Sequence, residues 1–521
     1  MPLGMDSRAT LKTTPFKEEP IMRGNRFVVL VGLLVGVVLA GFSARADVKL
    51  PSLISDGMVL QQGAPVTIWG WADEGEQVTI KIRNQVATTI ASQRKWSVTL
   101  DPMKAGGPYE MIIAGKNRTT LKDVFVGEVW VCSGQSNMEW SLAASFEAKK
   151  HIENATNPKI RLFTVPHLKS DVPLDDTTSS WKSCTPETAK TFSAVGYFFG
   201  RDLQKALKVP VGLIHSSWGG SPAEVWTKES VLAANPELKS ILEDSARAAE
   251  NYRKQLADYE AKAAAAKAAG KQAPRRPGSP WKAGELYNGM IAPLLPYAIK
   301  GAIWYQGESN AGRAAQYRQL FPTMIRNWRQ DWRLGDLTFL EVQLAPFMKI
   351  KEEPSESAWA ELREAQLLAT RILPKVGMAV ITDVGDPTDI HPKKKEPVGA
   401  RLALAARGIA YGERIEYSGP IYKSMEIMRD TIVLHFDHVG KGLVAKDGPL
   451  TGFAVAGADG KFVWADAAIV GNTVVVSSKD VPRPLNVRYG WADCPVVNLW
   501  NKNGLPASPF RTDRSPSDLS Y

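Results

Sequence analysis

The stretch VFVGEVWVCSGQSNMEW (124–140) decides the fold. Its first half is a nearly continuous apolar run, which is typical of a strand buried on both faces of a parallel sheet. A turn of small residues follows, and Ser136 then opens a helical segment, as a serine does in a nucleophile turn. Free backbone N–H groups at such a helix start can stabilise a developing oxyanion. The alternative role for Ser136 is that of a helix N-cap.

The same pattern continues outward from this stretch, over residues 121 to 411. Apolar runs alternate there with amphipathic segments, and the runs are VFVGEVWVC, KIRLFTV, VGLIHS, AIKGAIWY, LTFLEVQL and VGMAVIT. The amphipathic segments predict helices over Ala194–Leu207, Tyr317–Trp332, Ala358–Leu373 and Pro397–Ala410. This alternation predicts an α/β domain whose parallel sheet is covered by helices on both faces.

Both flanks of the α/β domain have another pattern. Residues 47–120 and 412–521 contain short alternating stretches such as VTIWGWA and TIVLHF, which predict an N-terminal β-sandwich module and a C-terminal β-module. A length of 521 residues agrees with about three domains. Within the α/β domain, residues 236–282 predict a helical insertion that runs to Ala269 and ends in a Pro/Gly/Arg linker.

Composition and charge argue against two classes of protein, disordered chains and nucleic-acid-binding proteins. Hydrophobic residues make up 44% and charged residues 23%, which is globular and excludes a disordered chain. The net charge is +10, but ten basic and six acidic residues lie in 237–282, on a helix that we expect to be solvated. No basic stripe interleaved with aromatic residues accompanies this charge, so nucleic-acid binding is not expected.

The first 46 residues predict a secretory signal peptide. Arg23 and Arg26 precede an apolar stretch over 27–42, and an A-x-A site ends at Ala46. Cleavage after Ala46 predicts a secreted or periplasmic protein without membrane attachment, and the alternative is an uncleaved anchor. Cleavage removes six basic and three acidic residues, which leaves a net charge of +7. Three cysteines are an odd number, so at least one thiol must be unpaired.

Chemistry in a parallel α/β sheet gathers at the carboxyl ends of the strands. Besides Ser136, these ends carry the segments SSWGG (216–220), WYQGESN (304–310) and DVGDPTDIHP (383–392). Of the six histidines, His391 alone stands near several carboxylates on a Pro-rich loop, and the other five are expected to be structural. No histidine or cysteine spacing typical of a metal site occurs, so neither a metal nor a cofactor is predicted.

Together these blocks resemble the SGNH hydrolase superfamily, and specifically its sialate O-acetylesterase family of secreted carbohydrate esterases. The resemblance covers most of the chain after the signal peptide. It lies in GEVWVCSGQSNMEW (127–140), SSWGGSPAEVW (216–226), LYNGMIAPLLPYAIKGAIWYQGESNA (286–311), DIHPKKK (389–395) and NLWNKNGLPASPFRTD (498–513). It implies a three-layer SGNH-hydrolase-like domain with a parallel sheet, flanked by N- and C-terminal β-sandwich-like modules.

The resemblance also implies catalytic roles. Ser136 matches the nucleophile that forms an acyl-enzyme, and His391 matches the general base. The oxyanion hole implied by the family comprises the Ser136 backbone N–H, a glycine N–H and the side chain of Asn310. Of the two candidate glycines, Gly219 and Gly220, we choose Gly220.

The acid that orients His391 is less well defined. Many superfamily members carry Asp three residues before the histidine, and this chain has Thr388 there. Asp389 stands two residues before, and in an extended segment it would point to the same side as His391. We favour Asp389, with Glu308 second, because some related esterases use a glutamate from that block, and Asp386 third.

The resemblance implies an O-acetylated carbohydrate as substrate. Gln135, Trp218 and Gln306 are the expected substrate-binding residues. Tryptophans near the blocks could stack on a sugar or could be core anchors, namely Trp140, Trp218, Trp226 and Trp304. The activity expected first is sialate O-acetylesterase, and the alternative is an acetyl-xylan or other polysaccharide acetylesterase. A non-catalytic carbohydrate-binding protein is the alternative of another class, and the oligomeric state stays open.

Overall fold

The structure is a computed structural model that describes residues 47–513. The expected signal peptide and its cleavage site after Ala46 lie outside the described residues. Over residues 47–513, no helix is both long enough and apolar enough to cross a membrane.

The N-terminal region consists of short strands that pack around a shared core. Six strands precede the central sheet: β1 (Val59–Gln61), β2 (Val66–Trp71), β3 (Gln77–Ile82), β4 (Gln85–Ile90), β5 (Lys95–Leu100) and β6 (Gly106–Ala114). Buried and exposed residues alternate along β3 and β5, which is the pattern of a half-buried strand. β2 pairs with β5, while β3 pairs with β4 and β6, all in antiparallel orientation.

The central sheet is largely parallel, as the apolar runs predict. Its strands are β7 (Arg118–Gly134), β8 (Asn157–Thr164), β9 (Lys182–Cys184), β10 (Val211–Ser217), β11 (Gly301–Tyr305), β12 (Thr338–Val342) and β13 (Val376–Ala379). They lie in the order β13-β12-β11-β7-β10-β8-β9, and within this row only β9 runs antiparallel to its neighbour. Every residue of β10 to β13 is buried.

The strand β7 also belongs to the N-terminal region. Its residues 118–126 pair with β6 in antiparallel orientation, and residues 125–127 pair with β1 in parallel. Residues 128–134 then pair with β10, and residues 130–134 pair with β11. The domain boundary expected near residue 120 therefore falls inside a continuous strand, and the division into three domains stays a prediction.

Helices cover both faces of the central sheet. The α-helices are α1 (Ser136–Glu139), α2 (Ala148–Glu153), α3 (Pro186–Lys190), α4 (Ala194–Leu207), α5 (Glu229–Ala234), α6 (Lys239–Ala268), α7 (Ala314–Trp332), α8 (Ala358–Ile372) and α9 (Glu396–Ile409). Shorter helical turns span Leu142–Ala144, Ala223–Trp226, Pro236–Leu238, Tyr287–Ile291, Ala292–Leu294 and Glu308–Arg313. Residues of α4 and α9 share a core with Trp130 and Leu213, whereas α7 and α8 share another with Val131 and Trp304. Successive strand residues thus face opposite layers.

The helical insertion is present where the sequence predicts it. A helical turn over Pro236–Leu238 leads into α6, which ends two residues before Gly270. Gly270 has a φ of +66°, the left-handed conformation that commonly ends a helix. Of the α6 side chains only Ile241 is buried, so this helix is mostly solvated.

The C-terminal region consists of three antiparallel sheets around a core of its own. Its strands are β14 (Ile421–Met428), β15 (Thr431–Asp437), β16 (Leu443–Ala445), β17 (Phe453–Ala456), β18 (Val463–Trp464), β19 (Asp466–Val470), β20 (Thr473–Ser477), β21 (Asn486–Tyr489), β22 (Leu499–Asn501), β23 (Leu505–Pro506) and β24 (Phe510–Arg511). They form the sheets β14-β15-β20-β19, β16-β22-β23 and β18-β17-β21-β24. The buried Arg363 of α8 ties this region to the α/β domain by donating to the backbone oxygens of Ala492 and Asp493.

All three cysteines of the chain are buried free thiols, namely Cys132, Cys184 and Cys494. The sequence left their pairing open, and the structure contains no disulfide among them.

Candidate active site

Three strand ends of the central sheet are tied together at their carboxyl edge. The N–H of Gln135 donates to the Tyr305 oxygen at 2.9 Å, and the N–H of Trp218 donates to the Gly134 oxygen at 3.1 Å. Gly134 has a φ of +134°, and a Cβ at this position would lie 2.1 Å from the Tyr305 oxygen. Only glycine therefore allows the ends of β7 and β11 to approach this closely.

Ser136 and His391 meet at this edge. Ser136 is the first residue of α1 and is partly exposed, and its Oγ lies 2.9 Å from Nε2 of His391. The Trp140 ring stacks on the imidazole, with ring centroids 5.1 Å apart and an angle of 17° between the planes. Burial and the nearby Lys395 cation lower the pKa of His391 below its ordinary value, and Asp389 opposes this shift. This shift favours the neutral imidazole, which is the form that accepts a proton.

Of the three carboxylates expected near His391, only Asp389 lies beside the ring. Its Oδ1 is 3.7 Å from Nδ1 of His391, too long for a hydrogen bond, and accepts the backbone N–H of His391 at 2.9 Å. Glu308 Oε1 instead accepts from Asn137 Nδ2 at 2.6 Å. Asp386 accepts from the backbone and hydroxyl of Thr388, so it shapes the loop.

The expected oxyanion donors differ in whether their N–H group already has a hydrogen-bond acceptor in the protein. The Gly219 N–H donates to the Glu139 carboxylate at 2.6 Å, so it is occupied. The N–H of Gly220 has no hydrogen-bond partner within residues 47–513, and the space where its Cβ would lie is open. Since Ser136 is the first residue of α1, its N–H has no partner within the helix.

The Asn310 amide is held in one orientation. Its Oδ1 accepts from the Ala223 N–H at 2.9 Å and from Gln306 Nε2 at 2.6 Å, while Nδ2 donates to Glu224 at 2.9 Å. An amide nitrogen carries two hydrogens, so one N–H of Asn310, which is 1% exposed, has no partner among residues 47–513.

Two of the expected substrate-binding residues lie behind the site. Gln306 is fully buried, and its Oε1 accepts from the Tyr317 hydroxyl at 3.0 Å while Nε2 donates to Asn310. Gln135 is 3% exposed, and its Oε1 accepts from the backbone of Gly307 and Ser309. The structure therefore does not bring Gln135 and Gln306 to the surface, because their amides join backbone and side chains of the strand ends.

Trp218 does lie at the site, together with a histidine that the sequence analysis missed. His167 stacks on the Trp218 ring at 4.2 Å, and its Nε2 lies 3.1 Å from both Glu139 Oε1 and the Ser217 oxygen. The signal available in the sequence was that His167 follows a predicted parallel strand. Trp140 and Trp218 are partly exposed, whereas Trp226 and Trp304 are fully buried core anchors.

Asn137 and Lys395 lie behind the pair and are two further residues that the sequence did not point to. Lys395 is 1% exposed, and its Nζ donates to Asn137 Oδ1. Burial lowers the pKa of Lys395 to about 7. The run KKK (393–395) is typical of a solvated surface, and Lys393 and Lys394 are exposed. Nothing in the sequence distinguishes the third lysine from these two, so its burial could not be predicted.

A cavity of about 310 Å³ lies beside His391. Its lining includes the exposed ring of Phe146 and the side chains of Asp386, Asp389, Lys393 and Lys394. The neighbouring Asp383, which also lines it, is held by Arg401 at 2.6 and 2.8 Å.

Within residues 47–513, no three His, Cys, Asp or Glu side chains come together as metal ligands. The arrangement supplies a hydroxyl, a base and N–H donors, which are the parts of an acyl-transfer site.

Comparison with known proteins gives related sequences and a related structure. The family described as "Carbohydrate esterase, sialic acid-specific acetylesterase" matches residues 276–407. The sialate O-acetylesterase of Homo sapiens is 30% identical over 95% of this chain and 99% of its own length, and that of Mus musculus is 30% identical over 93% and 98%. The crystal structure of a carbohydrate acetylesterase from Xanthomonas citri superposes with a TM-score of 0.79 at 39% identity, covering 90% of this chain and 100% of its own.

Proposed function

Because the chain belongs to the sialate O-acetylesterase family and is an esterase, we propose that it hydrolyses O-acetyl esters of sialic acid through a serine acyl-enzyme. The observation that carries the proposal is the 2.9 Å contact between Ser136 Oγ and His391 Nε2. In this mechanism, His391 accepts the hydroxyl proton while Oγ attacks the acetyl carbonyl carbon. The carbonyl oxygen becomes an oxyanion.

The oxyanion is stabilised by three donors in this proposal. They are the N–H of Ser136, the N–H of Gly220 and the remaining N–H of Asn310. Glu139 occupies the Gly219 N–H, which leaves the next one along the chain for the oxyanion. Such donors act only where negative charge develops, so they lower the barrier rather than tighten substrate binding.

The intermediate then collapses, and His391 returns its proton to the sugar oxygen that leaves. A water molecule, deprotonated by the same imidazole, attacks the acetyl-enzyme, and the imidazolium returns this proton to Ser136 Oγ as the ester bond breaks and acetate is released. Asp389, 3.7 Å from the ring, stabilises the imidazolium that forms in both steps. The fold supports the finer proposal of an SGNH-type domain, because Ser136, Gly220, Asn310 and His391 follow four different strands of the central sheet.

Sialic acid is the substrate proposed first. The exposed Lys393 and Lys394 line the cavity beside His391 and could meet the carboxylate of a sugar acid. The second candidate is an acetyl-xylan or other polysaccharide acetylesterase, which the likeness to the Xanthomonas carbohydrate acetylesterase also accommodates. We also propose secretion, with cleavage after Ala46, which would bring the enzyme to extracellular glycans.

The test is acetate release by the purified chain from O-acetyl sialic acids, acetyl-xylan and acetylated algal glycans. We expect Ser136→Ala to lower kcat by about 1000-fold or more while the protein stays folded. Ser141→Ala is the matched control, since this nearby serine makes no capping hydrogen bond. The proposal fails if the wild type releases no acetate from any of these substrates, or if Ser136→Ala remains active.

A further inference from the structure

A buried chain of polar groups runs behind Ser136 and His391, and we call it the buried bridge. It consists of Lys395, Asn137 and Glu308: Nζ of Lys395 donates to Asn137 Oδ1, and Asn137 Nδ2 donates to Glu308 Oε1 at 2.6 Å. Lys395 and Asn137 are 1% and 0% exposed. Glu308 is partly exposed as a residue, but its Oε2 is buried without a hydrogen-bond partner.

The buried bridge joins the segments that carry the reacting groups. Asn137 directly follows Ser136, and its Nδ2 also donates to the backbone oxygen of Ile390 at 3.1 Å, next to His391. Glu308 follows β11, and Lys395 ends the histidine loop immediately before α9. Because a single amide holds both the serine turn and the histidine loop, a shift of His391 away from Ser136 would break these hydrogen bonds.

The charge of Lys395 also acts on His391. The groups that face His391 are the Lys395 cation, the Asp389 carboxylate, the Ser136 hydroxyl and the Trp140 ring. Lys395 lowers the pKa of His391 and Asp389 raises it. Lys395 itself faces Glu308, Asp389 and the rings of Trp140 and Tyr305, which lie 5.9 and 5.2 Å from its Nζ. Lys393 and Lys394 are exposed to solvent, which screens their charges.

From this geometry we propose that Lys395 is a positioning residue for the serine mechanism. Through the buried bridge it holds His391 within hydrogen-bond distance of Ser136, and in its protonated form its charge favours the neutral, proton-accepting imidazole. The inference rests on the proposed function. The inference goes beyond the proposed function because it assigns a role to Lys395, which touches neither the substrate nor the reacting atoms.

The first test measures His391 directly, by NMR titration of its imidazole, with the signal assigned through His391→Gln. Lys395→Met removes the ammonium group and keeps an unbranched side chain as long as the lysine stem, so the pKa of His391 should rise. In the pH dependence of kcat/KM, the acid limb should move to higher pH, and kcat should fall by about tenfold to a hundredfold with little change in KM. Lys394→Met, which removes an exposed neighbouring cation, should leave the pKa of His391 unchanged.

The second test separates positioning from a purely structural role. Lys395→Met leaves the Glu308 carboxyl without its cation, so the variant should melt at a lower temperature than the wild type. The double variant Lys395→Met/Glu308→Gln removes both charges and should recover the melting temperature but not kcat. The proposal is overturned if the double variant recovers both, or if Lys395→Met leaves the pKa of His391 in place. A wild type without acetylesterase activity would instead overturn the proposed function, because the NMR titration needs no substrate.

Discussion

Ser136 and His391 are 255 positions apart in the sequence, and their side chains still lie 2.9 Å from each other. They meet because β7 and β13 end at the same edge of one parallel sheet. The contacts around the pair divide into two kinds. Trp140 and Asp389 touch the imidazole itself, whereas Asn137 and Lys395 act from behind it, through the loop backbone and through charge.

Asp389 is the carboxylate whose loss should affect His391 directly. We expect Asp389→Asn to lower kcat by about tenfold to a hundredfold, because the imidazolium loses its negative neighbour. The same loss should lower the pKa of His391, so the acid limb of kcat/KM should move to lower pH. Steady-state rates of acetate release between pH 4 and 8 would show both effects. The direction of the pH shift is opposite to that expected for Lys395→Met.

Glu308 and Asp386 are the comparisons for this prediction. Glu308→Gln can still accept a hydrogen bond from Asn137, and Asp386→Asn alters only a loop turn, so each should lower kcat by less than about tenfold. Near-normal kcat in Asp389→Asn together with a collapse in Glu308→Gln would contradict our choice of orienting residue.

Asn310 offers a test of the proposed oxyanion hole. Asn310→Ala removes a donor that the neighbouring Ala223, Gln306 and Glu224 hold in place. We expect kcat to fall by about 100- to 1000-fold with KM nearly unchanged, since the lost interaction forms only in the transition state. The exposed Asn154, at the end of α2, provides the control Asn154→Ala. A loss confined to KM would assign Asn310 to substrate binding instead.

At the scale of elements, the close approach of β7 and β11 depends on Gly134. A methyl group there would lie 2.1 Å from the Tyr305 oxygen, so Gly134→Ala must separate the two strand ends. We expect a loss of at least about 3 kcal/mol in the free energy of unfolding, or no soluble protein. Chemical denaturation measures this quantity. The control is Gly335→Ala, because Gly335 has a φ of +68° but open space around it, and backbone strain alone should cost about 1 kcal/mol.

Long elements with a strong hydrophobic period could be predicted from the sequence. The helix predicted over Ala194–Leu207 matches α4 at both ends, and the one predicted from Tyr317 begins three residues earlier, at Ala314. The spacing of the apolar residues in these segments indicates which face of the helix or strand is buried, and this spacing is the main sequence signal for the type of element.

The contacts between elements could not be predicted in the same way. Lys395 lies in a run of three lysines, and the third one is buried where it meets Asn137 and the Tyr305 ring. Gln135 and Gln306 were expected to bind substrate because they stand in the blocks, yet their amides are used inside the protein. Asp389 was expected to point to the side of His391, and it does lie beside the ring, although its closest contact is the His391 backbone N–H.

At the scale of the whole molecule, one buried carboxyl group should make stability depend on pH. Glu341 of β12 is fully buried, and neither of its carboxyl oxygens has a hydrogen-bond partner in the described structure. Burial raises its pKa well above the ordinary value, so the folded protein keeps a proton that the unfolded chain loses above about pH 4.3. Stability contributed by this group is therefore lost as the pH rises above that value.

Glu341→Gln removes this pH dependence, because glutamine does not titrate. We expect the variant to melt about 2 °C or more above the wild type at pH 8 and close to it at pH 4. Differential scanning calorimetry at the two pH values makes the comparison. A melting temperature lower than that of the wild type at pH 8 would show that Glu341 is ionised and paired in the folded protein.

The long strand β7 connects the N-terminal region to the proposed catalytic serine, so unfolding of that region should affect the stability of the active site on heating. Residues 118–126 of β7 pair with β6 in the N-terminal region, and residues 128–134 pair with β10 in the central sheet. Separation of β6 from β7 therefore frees the first half of the strand whose second half leads to Ser136. Heating should therefore inactivate the enzyme in the same transition that unfolds residues 47–117. We therefore expect residues 47–117, which lie at the far end of β7 from the reaction, to influence how long the nucleophile stays in place on heating.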